Sequence, residues 1–354
     1  MKKLFQNLTK LLILTILIFV IVNEVEAGSA RRRGTAGAQE LLIPVGSVGT
    51  ALGGSYTAAI SGIEAAYWNP AGVAVIDGNG EAMISRMNYI ADIYVNYAAI
   101  MAKIGGSSAI GATLKSLDFG DIPVTTTSHP DGTGETFSPQ FYTLGLLFSR
   151  VMTDRIRFGV KLNMLSEQVM RVSATGFALN AGVQYSTGPK GFKMGVVLRN
   201  LGGNMLFTGP DLEKKIVPPG TEPGTREEPW RIPLSEFELP TQMEIGVAYT
   251  VFNSNLMDLT LCGSFLNDNF AFDKYTFGAE FGLLNMFYLR GSQGIAENPD
   301  ENTFMSHNED FIWGTALGGG LKLALGSMKM KVDYTYRPTK FFDDNQWFSV
   351  RFEY

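Results

Sequence analysis

Acid–base, nucleophilic and metal chemistry all need ionisable side chains held close together, and this chain of 354 residues offers few candidates. It has two histidines, His129 and His307, and one cysteine, Cys262. Both histidines fall between runs of alternating residues, where a solvated loop is the plain expectation, and neither lies near a nucleophile or a metal-ligand set. Asp131, Asp300, Glu301 and Asp310 lack the regular oxygen spacing of a calcium loop. Gly318-Gly319-Gly320 sits inside an alternating run and not at a strand-to-helix turn, so it does not make a phosphate loop. Cys262 shares parity with Asp258, Thr260 and Ser264 and reads as an inert small interior residue. The sequence therefore predicts a protein that is not an enzyme and carries no cofactor and no metal. With 34 acidic against 29 basic residues there is no basic excess for nucleic acid to recognise.

The charges that remain are ordered by a period of two, the signature of strands with unlike faces. In 328–337, Met328, Met330, Val332, Tyr334 and Tyr336 alternate with Lys329, Lys331, Asp333, Thr335 and Arg337. In the last run Phe348, Val350, Phe352 and Tyr354 oppose Ser349, Arg351 and Glu353. Marking every such run predicts fourteen strands: 81–89, 93–103, 108–118, 139–150, 156–168, 175–186, 191–201, 241–252, 256–267, 273–283, 286–294, 310–324, 328–337 and 346–354. Each approaches the nine to eleven residues of a tilted membrane strand. Connections after even-numbered strands are short, whereas the long ones, 119–138, 202–240, 295–309 and 338–345, all fall at the opposite end. A soluble β-sandwich also alternates, but nothing in it sorts loops by length in this way. The expectation is all-β: a 14-stranded antiparallel transmembrane β-barrel over 81–354, surrounded by outer-membrane lipid.

Parity then points Lys161, Arg199, Glu244, Glu280, Asp333 and Arg351 into the lumen, together with Lys115, Arg157, Lys329, Lys331 and Glu353. Buried charges of both signs must pair or stay hydrated. They define a polar interior that would anchor a plug or select an anionic substrate.

Ahead of the barrel, residues 1–27 read as a secretory signal peptide. Lys2, Lys3 and Lys10 precede the apolar run 11–22, and Val25-Glu26-Ala27 supplies a cleavage site. Twelve apolar residues span about 18 Å as a helix, against a hydrocarbon core of about 30 Å, so the run is too short to anchor. Export to the outer membrane of a Gram-negative cell follows. Residues 28–80 do not alternate; they are rich in Gly and Ala, look helical over 58–66 and then turn at Asn69-Pro70. Glycines at lumen positions, among them Gly159, Gly182, Gly195, Gly246, Gly278 and Gly314, leave room for this segment as a hatch inside the barrel.

The stretch GGSYTAAISGIEAAYWNPAGVA, 53–74, resembles the N-terminal hatch of the long-chain fatty-acid transporter (FadL) superfamily, and most nearly its PorV/PorQ branch, known from the type IX secretion system. The likeness continues through FGDIPVTT at 119–126, FGVKLNML at 158–165, FGAEFG at 277–282, GGGLKL at 318–323 and VDYTYRP at 332–338. It implies that Gly53, Gly54, Trp68, Asn69, Pro70, Ala71 and Gly72 form the hatch motif. The ending built on Phe348, Val350, Phe352 and Tyr354 resembles the signal read by the barrel assembly machinery.

Two functions follow from the resemblance. A PorV-like carrier would receive the C-terminal signal domain of secreted cargo proteins and pass them to a surface attachment complex. Its docking surface would be the external loops 119–138 and 202–240, with Trp230 and Arg231 as residue types that anchor interfaces. A FadL-like channel would instead admit a hydrophobic ligand from outside and release it sideways through the wall. That reading expects an inward kink in a strand opposite Asn69-Pro70-Ala71 and an apolar pocket under the loops.

Overall fold

A computed structural model of the protein describes residues 32–354 apart from 77, 189, 221, 223–225, 255, 299–302, 306–313 and 341. The expected signal peptide at 1–27, His307, and the acidic residues Asp300, Glu301 and Asp310 lie outside the described residues.

Fourteen long antiparallel strands close on themselves. They are β1 (Gly80–Asn88), β2 (Tyr94–Ile104), β3 (Ser108–Asp118), β4 (Gln140–Val151), β5 (Ile156–Val169), β6 (Val172–Ser186) and β7 (Phe192–Gly202). The second half comprises β8 (Gln242–Asn253), β9 (Met257–Asp268), β10 (Lys274–Leu283), β11 (Phe287–Asn298), β12 (Thr315–Leu325), β13 (Met328–Arg337) and β14 (Asn345–Glu353). Sequential neighbours pair throughout, and β1 pairs with β14 from Glu81↔Glu353 to Asn88↔Gln346, so the sheet has no free edge. That closure lets every strand satisfy its backbone inside a membrane.

The predicted strands differ from these mainly at their ends. β6 starts three residues early because Met170, in the left-handed conformation, allows a two-residue turn from β5. β11 extends to Asn298 and carries a short added strand, Thr303–Met305. The sorting of connections holds: 105–107, 152–155, 187–191, 254–256, 284–286 and 326–327 are short and share one end with the start of β1. The longer 119–139 and 203–241 lie at the other, each folding a small antiparallel ladder of its own: Ile122–Pro123 with Thr136–Phe137, and Glu213–Ile216 with Glu228–Arg231.

Alternation produces two surfaces. On β1, Ile84 is 68% exposed while Met83 and Ser85 are buried, and on β11 Leu289 is 66% exposed beside buried Arg290. Large apolar side chains therefore face outward as a lipid would require, and polar ones face inward.

The N-terminal segment, 32–79, forms only short turns of helix. The helix expected over 58–66 is a single turn, Ala65–Trp68, preceded by a tighter turn at Gly62–Glu64. Gly62 enters with positive φ, and Pro70 cannot continue a helix, so the stretch cannot lengthen in either direction.

Candidate functional site

The N-terminal segment lies against inward-facing residues of nearly the whole ring. Thr335 on β13 donates to Ser47 O at 2.6 Å, Ser292 on β11 to Ala51 O at 2.9 Å, and Gln184 on β6 to Thr57 O and Ile60 O at 3.0 and 2.9 Å. Ser149 on β4 donates to Ala71 O and accepts from Ala74 N. Lys115 on β3 donates to the Glu40 and Ile43 carbonyls, and Trp347 on β14 donates to Pro44 O at 3.1 Å. The segment has little regular structure, so its backbone groups need these partners.

Asn69, Pro70 and Ala71 are the point of closest approach. The Asn69 side-chain oxygen accepts from Ala71 N at 3.1 Å, capping the turn Pro70–Gly72, while its nitrogen donates to Thr57 O at 3.1 Å. The turn presses on β5 and β6 at Gly159 and Gly182, where a β-carbon would collide with the Pro70 carbonyl and with the Asn69 side chain. Glycine is needed there because another backbone occupies its side-chain space. Trp68 donates to Val45 O at 3.2 Å, and its ring stands 3.0 Å from where a β-carbon on Gly54 would lie. Gly53 and Gly54 make the left-handed turn that lets Ser55 reach Cys262.

Of the eleven lumen charges picked by parity, Lys161, Arg199, Glu244, Glu280, Asp333, Arg351, Lys115 and Glu353 are buried, whereas Arg157, Lys329 and Lys331 are half-buried. Arg199 and Glu244 pair at 2.6 Å. Glu280, Asp333 and Arg351 belong to a longer chain: Glu280–Arg290 at 2.6 Å, Arg290–Asp333 at 2.7 Å, Asp333–Arg351 at 3.0 Å, and Arg351–Glu64 at 3.5 Å. Glu64 belongs to the N-terminal segment, so the network joins segment to wall; burial raises its carboxyl above the ordinary range while the Arg351 guanidinium opposes that shift. Gly320 is where the Arg290 and Asp333 side chains cross, and Gly318 on the same face leaves room for Ala51 of the segment. Beside this network lies a cavity of about 270 Å³, lined by Tyr56, Glu81, Tyr288, Lys322, Lys331 and the ion-pair residues. Lys161 is buried apart from the network.

Sequence reasoning missed Arg290, the hub of the network, although its parity with exposed Leu289 marked it. It also missed Glu64 in the segment and two further buried carboxylates, Glu40 of the segment and Glu167 on β5. The segment has no period from which to read direction, and Glu167 had the parity signal but sat near a strand end.

Two apolar clusters also lie inside the barrel. On one side Met83, Met87, Val95, Tyr97 and Met101 from β1 and β2 pack around Trp68 and Trp347. At the mouth with the long loops, Met205 and Leu239 fold down with Phe207 and Phe237 onto Leu41, Leu165, Ala174 and Ala178. The loop's own side chains thus cover this part of the N-terminal segment. Opposite Asn69-Pro70-Ala71, β5 and β6 pair without a break or bulge from Ile156↔Tyr185 to Val169↔Val172. The irregularities are a bulge on β7, where Arg199 and the left-handed Asn200 both turn inward, and a register shift between β8 and β9. Trp230 and Arg231 stand together on the exposed loop ladder, with Trp230 half exposed.

These features define a closed 14-stranded barrel of the outer-membrane type whose lumen holds the chain's own N-terminal segment. No family model matches the chain, and no curated protein matches it in sequence. Among solved structures, its fold is similar to the toluene transporter TbuX of Ralstonia pickettii, with 13% identity, 88% of this chain and 98% of that one covered, and a TM-score of 0.53. It is likewise similar to the CymD monoaromatic hydrocarbon channel (14% identity, 88% and 97% covered, TM-score 0.52) and to the toluene transporter TodX of Pseudomonas putida (12%, 87% and 96%, 0.52). At such identities the likeness is one of fold.

Proposed function

We propose that the protein is an outer-membrane channel for hydrophobic small molecules, with the N-terminal segment as its hatch. The observation that carries this reading is the apolar cluster at the loop end, in which Met205, Phe207, Phe237 and Leu239 cover Leu41 of the hatch. An apolar molecule arriving from outside would displace these side chains and rest on the hatch; methionine adapts to such exchange. The shared fold with barrels described as hydrocarbon and toluene channels supports the same reading. The intact barrel is reconstituted in vesicles and uptake of a hydrophobic dye is followed. Uptake faster than in vesicles holding an unrelated closed barrel is the expected result, and equal rates would sink the proposal.

A second reading, the PorV-like carrier of secreted proteins, is favoured by one feature. The external ladder Glu228–Arg231 is exposed at every residue, and Trp230, Ile232 and Leu234 add exposed apolar surface beside it. Crosslinking in cells followed by recovery of proteins with a common C-terminal β-domain would support it; recovery of lipid alone would exclude it.

A further inference from the structure

The lipid-facing side chains of β14 and β1–β4 fall into register rows. Along the loop-end rim, successive partners are Gln346, Asn88, Tyr94, Asp118 and Gln140, all polar. One outward row deeper come Phe348, Arg86, Asn96, Ser116 and Tyr142. The next row, Val350, Ile84, Ala98, Leu114 and Leu144, is wholly apolar. Arg86 is exposed, its guanidinium lies 4.4 Å over the Tyr94 ring, and it pairs with no carboxylate among the described residues. A charge on the lipid face of a barrel costs about 2–4 kcal/mol at the midplane and about 0–1 near the interface, so this row belongs at headgroup level.

Lower on the same strands the outer wall carries an apolar groove of about 470 Å³. Ile100 and Ala102 on β2, Ile110 and Ala112 on β3, and Leu146 on β4 line it, with Tyr354. It exists because Ala102 and Ala112 are small where their outward neighbours are bulky. From Asn96 to Ala102 is six residues; at about 3.3 Å each and a tilt of about 45° the chain descends about 14 Å, one leaflet's share of a core of about 30 Å.

We propose that the outer face of β1–β4 is a binding site for an outer-leaflet lipid with a phosphate-bearing headgroup. The phosphate rests on Arg86, with the Asn96 amide and the Ser116 hydroxyl as further donors. One acyl chain runs over Ala98 into the groove. On the β2–β4 side of the guanidinium the row continues with Asn96, Ser116 and Tyr142, all able to donate, and guanidinium matches phosphate with two parallel hydrogen bonds. The site is independent of what the lumen transports.

The full barrel is reconstituted in phosphatidylcholine vesicles containing lipid A, extracted in mild detergent, and its retained lipid measured by native mass spectrometry. Wild type should retain lipid A, Arg86→Gln should retain about tenfold less, as for the loss of one charge-assisted contact, and Arg86→Lys should keep part of it. Ala112→Phe, which fills the groove, should also lower retention. Arg150→Gln, at the opposite end of β4, should not. Heat-modifiable gel migration confirms that each variant is folded. Retention unchanged in Arg86→Gln, equal retention of a dephosphorylated lipid A, or equal loss in Arg150→Gln would each overturn the proposal. Displacement by inorganic phosphate alone would identify a simple anion site and overturn the lipid assignment.

Discussion

Asn69 and Gly182 share one space: the Asn69 side-chain oxygen stands where a β-carbon at residue 182 would be, and its nitrogen lies 3.4 Å from Val183 O on the same strand. Hatch and wall are therefore fitted to each other at that contact more tightly than any side chain would allow.

Gly182→Ala and Gly159→Ala should each destabilise the seated hatch by about 1–3 kcal/mol, the usual effect of overpacking. Gly159→Ala should be the worse of the two, because it meets the Pro70 backbone, which cannot rotate away. Limited proteolysis of the hatch in the folded barrel checks this; a protection pattern equal to wild type would contradict the fit.

Asn69→Ala removes the cap on the Pro70–Gly72 turn and the bond to Thr57 O. Loss of such a cap costs about 1 kcal/mol. The barrel should still close, since its strands pair through their own backbones and the Asn69 contact with Val183 O is long at 3.4 Å, while dye uptake by reconstituted vesicles should rise. A variant with unchanged uptake would mean that this turn does not limit passage.

Asp333→Ala should be far more damaging than either, because it leaves Arg290 and Arg351 buried beside each other with a shared partner gone. Removing one member of a buried ion pair costs about 3–5 kcal/mol. Denaturant unfolding should show the loss, and adding Arg351→Met to it should recover part of the stability by removing one uncompensated charge.

Loop anchorage should depend on pH in one direction only. Asp211, in the long loop, accepts hydrogen bonds from the Arg171 side chain at 2.7 Å and its backbone N–H at 3.1 Å, and these hold its carboxyl below the ordinary aspartate range. A depressed carboxylate contributes its anchorage fully above the unfolded value, about 3.9, and loses it as pH falls through the lower folded value. Protease cleavage of the loop should thus be constant from neutral pH down to about 4 and rise only below it. Arg171→Gln should show fast cleavage throughout.

The ring of strands was legible because period two is imposed by lipid on one side and a polar lumen on the other, so each strand declares its own orientation. Glycine at 159 and 182 was readable as empty space, yet only the folded chain shows Asn69 and Pro70 filling it. The hatch resisted reading: its hydrogen bonds run to residues as far away as Ser349, and no local pattern encodes such pairings. Arg290 had the same parity signal as Glu280 and Asp333. Its role depends on Gly320 leaving room on a strand between, which parity cannot express.

β14 closes the ring and also holds the hatch, through Trp347 to Pro44, Ser349 to Ser47 and Arg351 to Glu64. Ser47 and Ser349 are 302 residues apart. Closing a loop of that length carries a large entropy cost, which local contacts do not. One strand thus completes two closures: a barrel still open at the β1–β14 seam lacks the partners of Pro44, Ser47 and Glu64 and has no complete seat for its N-terminal segment.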